Sequence, residues 1–175
     1  AAQMVSYELP LVLALLGVVM LAQSLSLRDI VEGQTWPYLL LQPLGFALFM
    51  VAGLAELGRN PFDIFHADTE IVGGPFVEYS GIRWALFFMA EYVNLFAISA
   101  LAALLFLGGW KGPLLPGVVW FLAKTYAIIC IIIWLRATLP RLRIDQLMSL
   151  AWRYLVPLAF VNILLIAFRL YYGWP

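Results

Sequence analysis

Long apolar runs with almost no charge constrain the fold of this chain more than any other feature. Five stretches carry no charged side chain apart from Lys124, and they are residues 9–27, 33–55, 92–110, 114–135 and 154–168. A helix of about 20 mostly apolar residues crosses the hydrocarbon core of a bilayer, which is about 30 Å thick. Because backbone polar groups in lipid must be satisfied within each segment, these runs favour helices over strands. The sequence therefore predicts five membrane-spanning helices, near residues 5–23, 36–56, 84–107, 113–135 and 151–171.

The composition excludes most other classes of protein. Hydrophobic residues make up 65% of the 175 residues and charged residues 11%, against about 25% charged in an average globular domain. The ten basic and ten acidic side chains balance, so no net positive field attracts a nucleic acid. Cys130 is the single cysteine, which excludes an internal disulfide and a thiolate-rich metal site. We expect an all-α integral membrane protein with one domain over residues 1–175.

The loops between the spans predict an orientation. Residues 108–113 read as a tight turn, whereas 57–83 is long and polar and 137–149 is short and basic. Six arginines lie on the side of the two longer loops, namely Arg59, Arg83, Arg136, Arg141, Arg143 and Arg153. Three basic residues lie on the other side, namely Arg28, Lys111 and Arg169. Since the side richer in Lys and Arg stays inside, these loops and the N-terminus are expected on the cytoplasmic or matrix face.

Acidic residues are concentrated in the loop between the second and third spans. Asn60-Pro61 predicts the start of a helix there, and the glycines of residues 73–75 predict its end. Asp63, His66 and Glu70 would share one face of this helix by their spacing. The sequence thus predicts a short acidic helix at the membrane surface.

Three further acids, Glu8, Glu56 and Glu91, lie in spans or at their ends. A charge at the middle of a bilayer costs at least about 2.5–3.5 kcal/mol, so such carboxylates face the protein interior or a water-filled cavity. Carboxylates that share a cavity repel one another, which favours proton uptake near neutral pH and suits a proton relay. In the alternative interpretation each acid is held structurally by a basic side chain, that is by Arg59, Arg83 or Lys124.

Other candidate residues have simpler interpretations. For Lys124, in the middle of a span, an ion pair within the bundle is expected ahead of a direct role in proton transfer. His66 follows Asp63 at a metal-ligand spacing, but it is the single histidine and no metal site is predicted. Cys130 is expected to be a small buried apolar side chain. Three arginines after the fourth span are expected to anchor the helix end at headgroups or to bind acidic neighbouring subunits, namely Arg136, Arg141 and Arg143.

Three motifs in order make the chain resemble a known family. They are Glu-Leu-Gly-Arg-Asn-Pro-Phe-Asp at 56–63, Val-Glu-Tyr-Ser-Gly at 77–81 and Ala-Leu-Phe-Phe-Met-Ala-Glu-Tyr at 85–92. Together they closely resemble the core signature of the H-type membrane subunit of bacterial NADH:quinone oxidoreductase, whose mitochondrial counterpart is NADH dehydrogenase subunit 1 of respiratory complex I. Shorter segments look like it too, at residues 6–8, 107–110, 136–141 and 145–146.

The resemblance implies roles that spacing alone does not indicate. In that family the subunit joins the redox arm to the membrane arm and forms much of the chamber in which quinone is reduced. Acids of the loop would line this chamber, here Asp63, Asp68, Glu70 and Glu78. Intramembrane glutamates would continue from it as a proton pathway, here Glu8, Glu56 and Glu91. The quinone itself would be bound with the help of Arg59, Phe62 and His66.

The resemblance also implies which groups and partners lie elsewhere. This chain would bind no cofactor, with quinone as substrate and with FMN and the iron–sulfur clusters on neighbouring subunits. The expected partners are the iron–sulfur and 49-kDa-type subunits of the redox arm, the antiporter-like and small membrane subunits, and membrane lipid. The expected location is a bacterial plasma membrane or a mitochondrial inner membrane.

Two departures from the family pattern change these expectations. His66 stands where the family usually has another glutamate, and Asp68 lies in a stretch that is normally glutamate, which changes the charge of the chamber. The chain also matches only the C-terminal part of the family, so the tunnel would need an N-terminal part, from a second chain or from a longer one. The alternatives are the equivalent subunit of an energy-converting hydrogenase or other complex I-like enzyme, a scaffold without catalytic role, and a carboxylate-lined transporter.

Overall fold

The computed structural model describes residues 2–63, 78–113 and 116–173, and every regular element in these ranges is helical. The elements are α1 (Ala2–Ala22), α2 (Leu27–Gly33), α3 (Tyr38–Leu41), α4 (Pro43–Glu56), α5 (Ile82–Phe106), α6 (Gly117–Thr138), α7 (Ile144–Leu150), a π-helical segment (Ala151–Leu155) and α8 (Val156–Tyr171). Four stretches are long and apolar enough to cross a membrane, namely Val5–Ala22, Ile82–Phe106, Gly117–Thr138 and Ile144–Tyr171. The prediction of an all-α membrane protein is confirmed.

The second predicted span is a broken helix. The structure divides residues 36–56 into α3 and α4 at Gln42, because Pro43 has no backbone N–H to bond back into α3 and starts a new helix instead. α4 has 14 residues and is therefore about 21 Å long, shorter than the hydrocarbon core. At the break, Arg169 Nη1 donates a hydrogen bond to the Leu41 carbonyl oxygen at 3.1 Å.

The last span begins earlier than the sequence predicts. The predicted basic loop 137–149 contains α7, which continues through the π-helical segment into α8 as one helical stretch of 28 residues. The Arg143 N–H donates to Gln146 Oε1 at 3.3 Å, which satisfies one of the groups left free at a helix start. Within the π-helical segment, Trp152 Nε1 donates to Ser6 Oγ at 2.9 Å and so ties this stretch to α1.

Two groups of helices form the bundle. α1 packs against α4 and α8, and its small buried residues Ala14 and Gly17 let these helices approach closely. α5 packs against α6, and the Phe106 ring lies 5.4 and 5.5 Å from the rings of Phe46 and Phe49, which joins the end of α5 to α4. Most large apolar side chains of α5, α6 and α8 face outward, as lipid or neighbouring subunits require.

Cys130 lies on this outward surface. The prediction that it is buried is wrong, because α6 packs inward only along the face of Thr125, Ile128 and Ile132.

Candidate functional site

The ends of α1, α4 and α6 meet on the side where the acidic loop begins. The ring of Tyr7, near the start of α1, lies 6.1 Å from the ring of Phe62, just after α4. The Leu142 N–H, in the connection after α6, donates to the Pro61 carbonyl oxygen at 2.8 Å. The first residues of the loop are therefore attached to two other parts of the chain.

Residues 57–63 turn away from α4 and carry Arg59 into the protein. Gly58 has a φ of +58°, a left-handed conformation that glycine adopts without steric cost, and the Phe62 N–H donates to the Arg59 carbonyl oxygen at 2.8 Å. Residues 60–62 form a turn and a bend, so the prediction that a helix starts at Asn60-Pro61 is wrong. The remainder of the predicted acidic helix lies outside the described residues.

Arg59 and Glu91 form a largely buried ion pair. Arg59 Nη2 lies 3.3 Å from Glu91 Oε2, and the two side chains are 10% and 25% exposed. The Arg59 guanidinium also lies 4.9 Å from the centre of the Tyr92 ring, within the range of a cation–π contact. The alternative interpretation was that each acid is held by Arg59, Arg83 or Lys124. For Glu91 the basic partner is Arg59.

A polar cavity of about 230 Å³ surrounds this pair. Its lining consists of Gly58, Arg59, Asp63, Phe88, Glu91, Tyr92, Arg136 and Arg141. A second cavity of about 140 Å³ shares Arg59, Tyr92 and Arg136 with the first and is otherwise lined by Leu95, Ile132 and Ile133. Three guanidinium groups and two carboxyl groups thus meet in the first cavity, where they can respond to a negative charge or exchange a proton.

Arg136 and Arg141 are functional candidates that the sequence interpretation missed. It assigned both to lipid headgroups or neighbouring subunits, because they follow the fourth span. The structure places both on the wall of the cavity. Arg136 belongs to the last turn of α6, and Arg141 reaches the cavity because the connection after α6 turns back toward residues 58–63. In the sequence, Tyr92 appears only as the last residue of the family motif at residues 85–92. Its contact with Arg59 depends on the turn at residues 57–63.

The other predicted site residues are distributed over the same side or lie outside the described part. Glu8 and Glu56 are exposed at the neighbouring ends of α1 and α4, Glu78 is exposed before α5, and Phe62 is buried with 4% exposure. None of these four lines the Arg59 cavity. Three predicted site residues lie outside the described residues, namely His66, Asp68 and Glu70.

Lys124 binds backbone oxygens on the opposite side of the bundle. Its Nζ donates to the carbonyl oxygens of Leu107 at 2.7 Å, Gly109 at 3.0 Å and Lys111 at 2.8 Å. These carbonyls lie in the predicted tight turn or directly before it, and Gly108 and Gly109 of the turn have φ values of +75° and +48°. The predicted ion pair of Lys124 is wrong, because the turn after α5 folds over α6 and offers the ammonium carbonyl oxygens instead of a carboxylate.

An open groove lies beside the start of α5. It has a volume of about 460 Å³ and is lined by Tyr79, Arg83, Leu86, Phe87 and Ala90. Its wall is mostly apolar with one guanidinium, a lining that accommodates an apolar molecule with a polar end. Within the described ranges, no cluster of three or more His, Cys, Asp or Glu residues is placed to hold a metal ion.

Comparisons with known proteins agree on one family. The chain matches the model of the NADH dehydrogenase family over residues 1–167. It is 53% identical over 169 residues to the H subunit of NADH-quinone oxidoreductase from Dehalococcoides mccartyi. The aligned region covers 97% of this chain and 48% of that protein. It is 54% identical to the H subunit of the same enzyme from Geobacillus kaustophilus, over 95% of this chain and 52% of that protein. The chain spans about half the length of the curated relatives it matches.

Proposed function

Because the chain belongs to the NADH dehydrogenase family, we propose that it forms part of the membrane subunit of a proton-pumping NADH:quinone oxidoreductase, respiratory complex I. The names of its relatives support this reaction, in which a quinone takes up electrons and protons to become a quinol. The redox cofactors FMN and the iron–sulfur clusters belong to partner subunits in this proposal. The partners are the redox-arm, antiporter-like and small membrane subunits, together with the remaining part of this same subunit.

The observation that carries the proposal is the Arg59–Glu91 pair in the polar cavity. A carboxylate about ten residues inside a membrane helix is costly unless it is paired or functional, and here it is paired and also lines a cavity. Asp63, the first acid of the loop, lines the cavity. This position suits a group that responds to charge in the loop and passes the response into the membrane.

We assign the following roles to the residues of this chain. Reduction of quinone draws protons and so changes the charge near the acidic loop, whose members are Asp63, Asp68, Glu70 and Glu78. Glu91 responds by taking up a proton, which releases Arg59, or by losing a proton, which restores the ion pair with Arg59. Glu56 and Glu8 lie at neighbouring helix ends on the same side and continue the proton path.

The quinone lies on the loop side of Arg59 in this proposal. The groove at Tyr79, Arg83 and Phe87 suits an apolar quinone tail, since its wall is mostly apolar. Arg59 lines the cavity at the beginning of the loop, Phe62 is buried three residues farther along, and His66 belongs to the same loop. The location is a bacterial plasma membrane or a mitochondrial inner membrane.

The test is the substitution Glu91→Gln in the intact complex, reconstituted into vesicles. Glutamine keeps the shape of the side chain but carries no charge and exchanges no proton. We expect quinone reduction coupled to proton pumping to fall roughly tenfold or more, in line with the loss of a proton-transferring group. Glu32→Gln is the matched control, because Glu32 pairs with Arg28 at an exposed site on the opposite side of the bundle.

Assembly is measured separately, from the amount of intact complex on native gels. Coupled activity per assembled complex that equals wild type in both Glu91→Gln and Glu56→Gln would contradict the proton path. Loss of assembly alone, with normal turnover in the remaining complex, would support a scaffold role.

A further inference from the structure

Two buried amides lie between α1, α4 and α8 without hydrogen-bond partners. Gln42 is 3% exposed and Asn162 is 2% exposed. Both amide atoms of Gln42, Oε1 and Nε2, and Nδ2 of Asn162 are unpaired within the part of the chain that the structure describes. In the membrane interior such groups are costly, because bulk water does not reach them.

Two glycines show that these amides converge on one space. A Cβ built on Gly17 of α1 would lie 2.8 Å from Ile166 Cδ1 and 3.0 Å from both Asn162 Nδ2 and Gln42 Oε1. A Cβ built on Gly45 of α4 would lie 3.1 Å from each of the same two atoms. The two amide atoms are therefore close enough for one small molecule to contact both. A side chain at either glycine would press against both amides.

The chemistry of the three unpaired atoms selects a neutral ligand that both donates and accepts hydrogen bonds. Gln42 Oε1 requires a donor, whereas Gln42 Nε2 and Asn162 Nδ2 require an acceptor. A cation would meet two amino groups, an anion would meet a carbonyl oxygen, and an apolar molecule would satisfy none. A buried water typically makes two to four hydrogen bonds of this kind.

We propose that Gln42 and Asn162 bind one water molecule between α1, α4 and α8, within the membrane-spanning part of the chain. The water joins the break between α3 and α4 to the middle of α8. Arg169, about two turns farther along α8, bonds to the Leu41 carbonyl at the same break. The hydrated amides and this arginine together hold the break in place. The site is independent of the Arg59 cavity, so it can fail while the proposed function stands.

The direct test is a cryo-electron microscopy map of the intact complex that contains this chain. Its resolution must show ordered waters elsewhere in the membrane domain, which serve as the internal standard. We expect density for one oxygen at about 2.7–3.2 Å from amide atoms of both Gln42 and Asn162. A direct bond between the two amides, or no density between them, would overturn the proposal.

A pair of apolar substitutions gives a second measurement. Gln42→Met and Asn162→Leu should each speed thermal loss of the intact complex roughly tenfold, because each leaves the other amide less satisfied. In the double variant the rate of thermal loss should rise by less than the product of the two single fold-changes, since one water serves both side chains. Asn94→Leu, at an exposed position of α5, is the matched control and should change little. Effects of Gln42 and Asn162 that multiply independently would count against a shared water.

Discussion

Replacing Lys124 by methionine distinguishes a structural ammonium from one that transfers protons. The ammonium makes three hydrogen bonds of 2.7–3.0 Å to carbonyl oxygens of the turn after α5. A hydrogen bond from a charged group contributes about 1.5–3 kcal/mol, while ordering a lysine side chain costs up to about 2 kcal/mol. Water reaches part of this turn and offsets some of the loss. We therefore expect Lys124→Met to destabilise the bundle by about 2–4 kcal/mol.

The measurement is the half-life of the intact complex at raised temperature, together with coupled activity per surviving complex. Lys124→Met should shorten the half-life strongly and leave turnover of the surviving complex unchanged. Lys124→Arg is the control that keeps the charge, and it should rescue only in part, because a planar guanidinium does not match three converging carbonyls. Normal stability with lost pumping would refute the capping role and restore a role in proton transfer.

Two further predictions concern Tyr92 and the partners. Tyr92→Phe should retain coupled activity, since a cation–π contact needs only the ring face, whereas Tyr92→Leu should lower it several-fold by weakening the hold on Arg59. Vesicle assays of both variants check this, and equal activity in both would contradict it. A tag on this chain should recover iron–sulfur, flavin and antiporter-like subunits by mass spectrometry. Hydrogenase subunits in their place would favour that alternative, and recovery of no redox partner would contradict the proposed function.

The spans could be predicted from sequence because apolar length and charge decide them almost alone. Two boundaries were wrong for local reasons. Pro43 inside the apolar run signals the break in the second span. The long apolar stretch on either side of Pro43 nevertheless favours one continuous span. The start of the last span at Ile144 had a weaker signal, since Arg143 is not a favoured capping residue and Asp145 looked like part of a loop.

The site could be predicted only as a set of candidates. Glu91 had three candidate cations, and the turn at residues 57–63 decides that Arg59 reaches it, 32 positions away along the chain. Lys124 was removed from that set by another turn, whose carbonyl oxygens meet its ammonium. Arg141 joined the cavity because the connection after α6 folds back toward Pro61. In each case a loop conformation determines which partner is reached, because charge alone does not distinguish the candidates.

The size of the Arg59–Glu91 interaction makes it suitable for the proposed switch. Two unit charges about 4 Å apart interact by about 4 kcal/mol at an effective dielectric constant near 20. A change of roughly 5.5 kcal/mol moves a two-state equilibrium from 1:99 to 99:1. Protonating Glu91 would therefore supply most of the energy needed to move Arg59 from one arrangement to another. A negative charge arriving in the cavity would attract Arg59 and also the two other guanidiniums that line it, Arg136 and Arg141. Under the proposed function, protonation of Glu91 is the charge change that would couple the loop to the membrane helix.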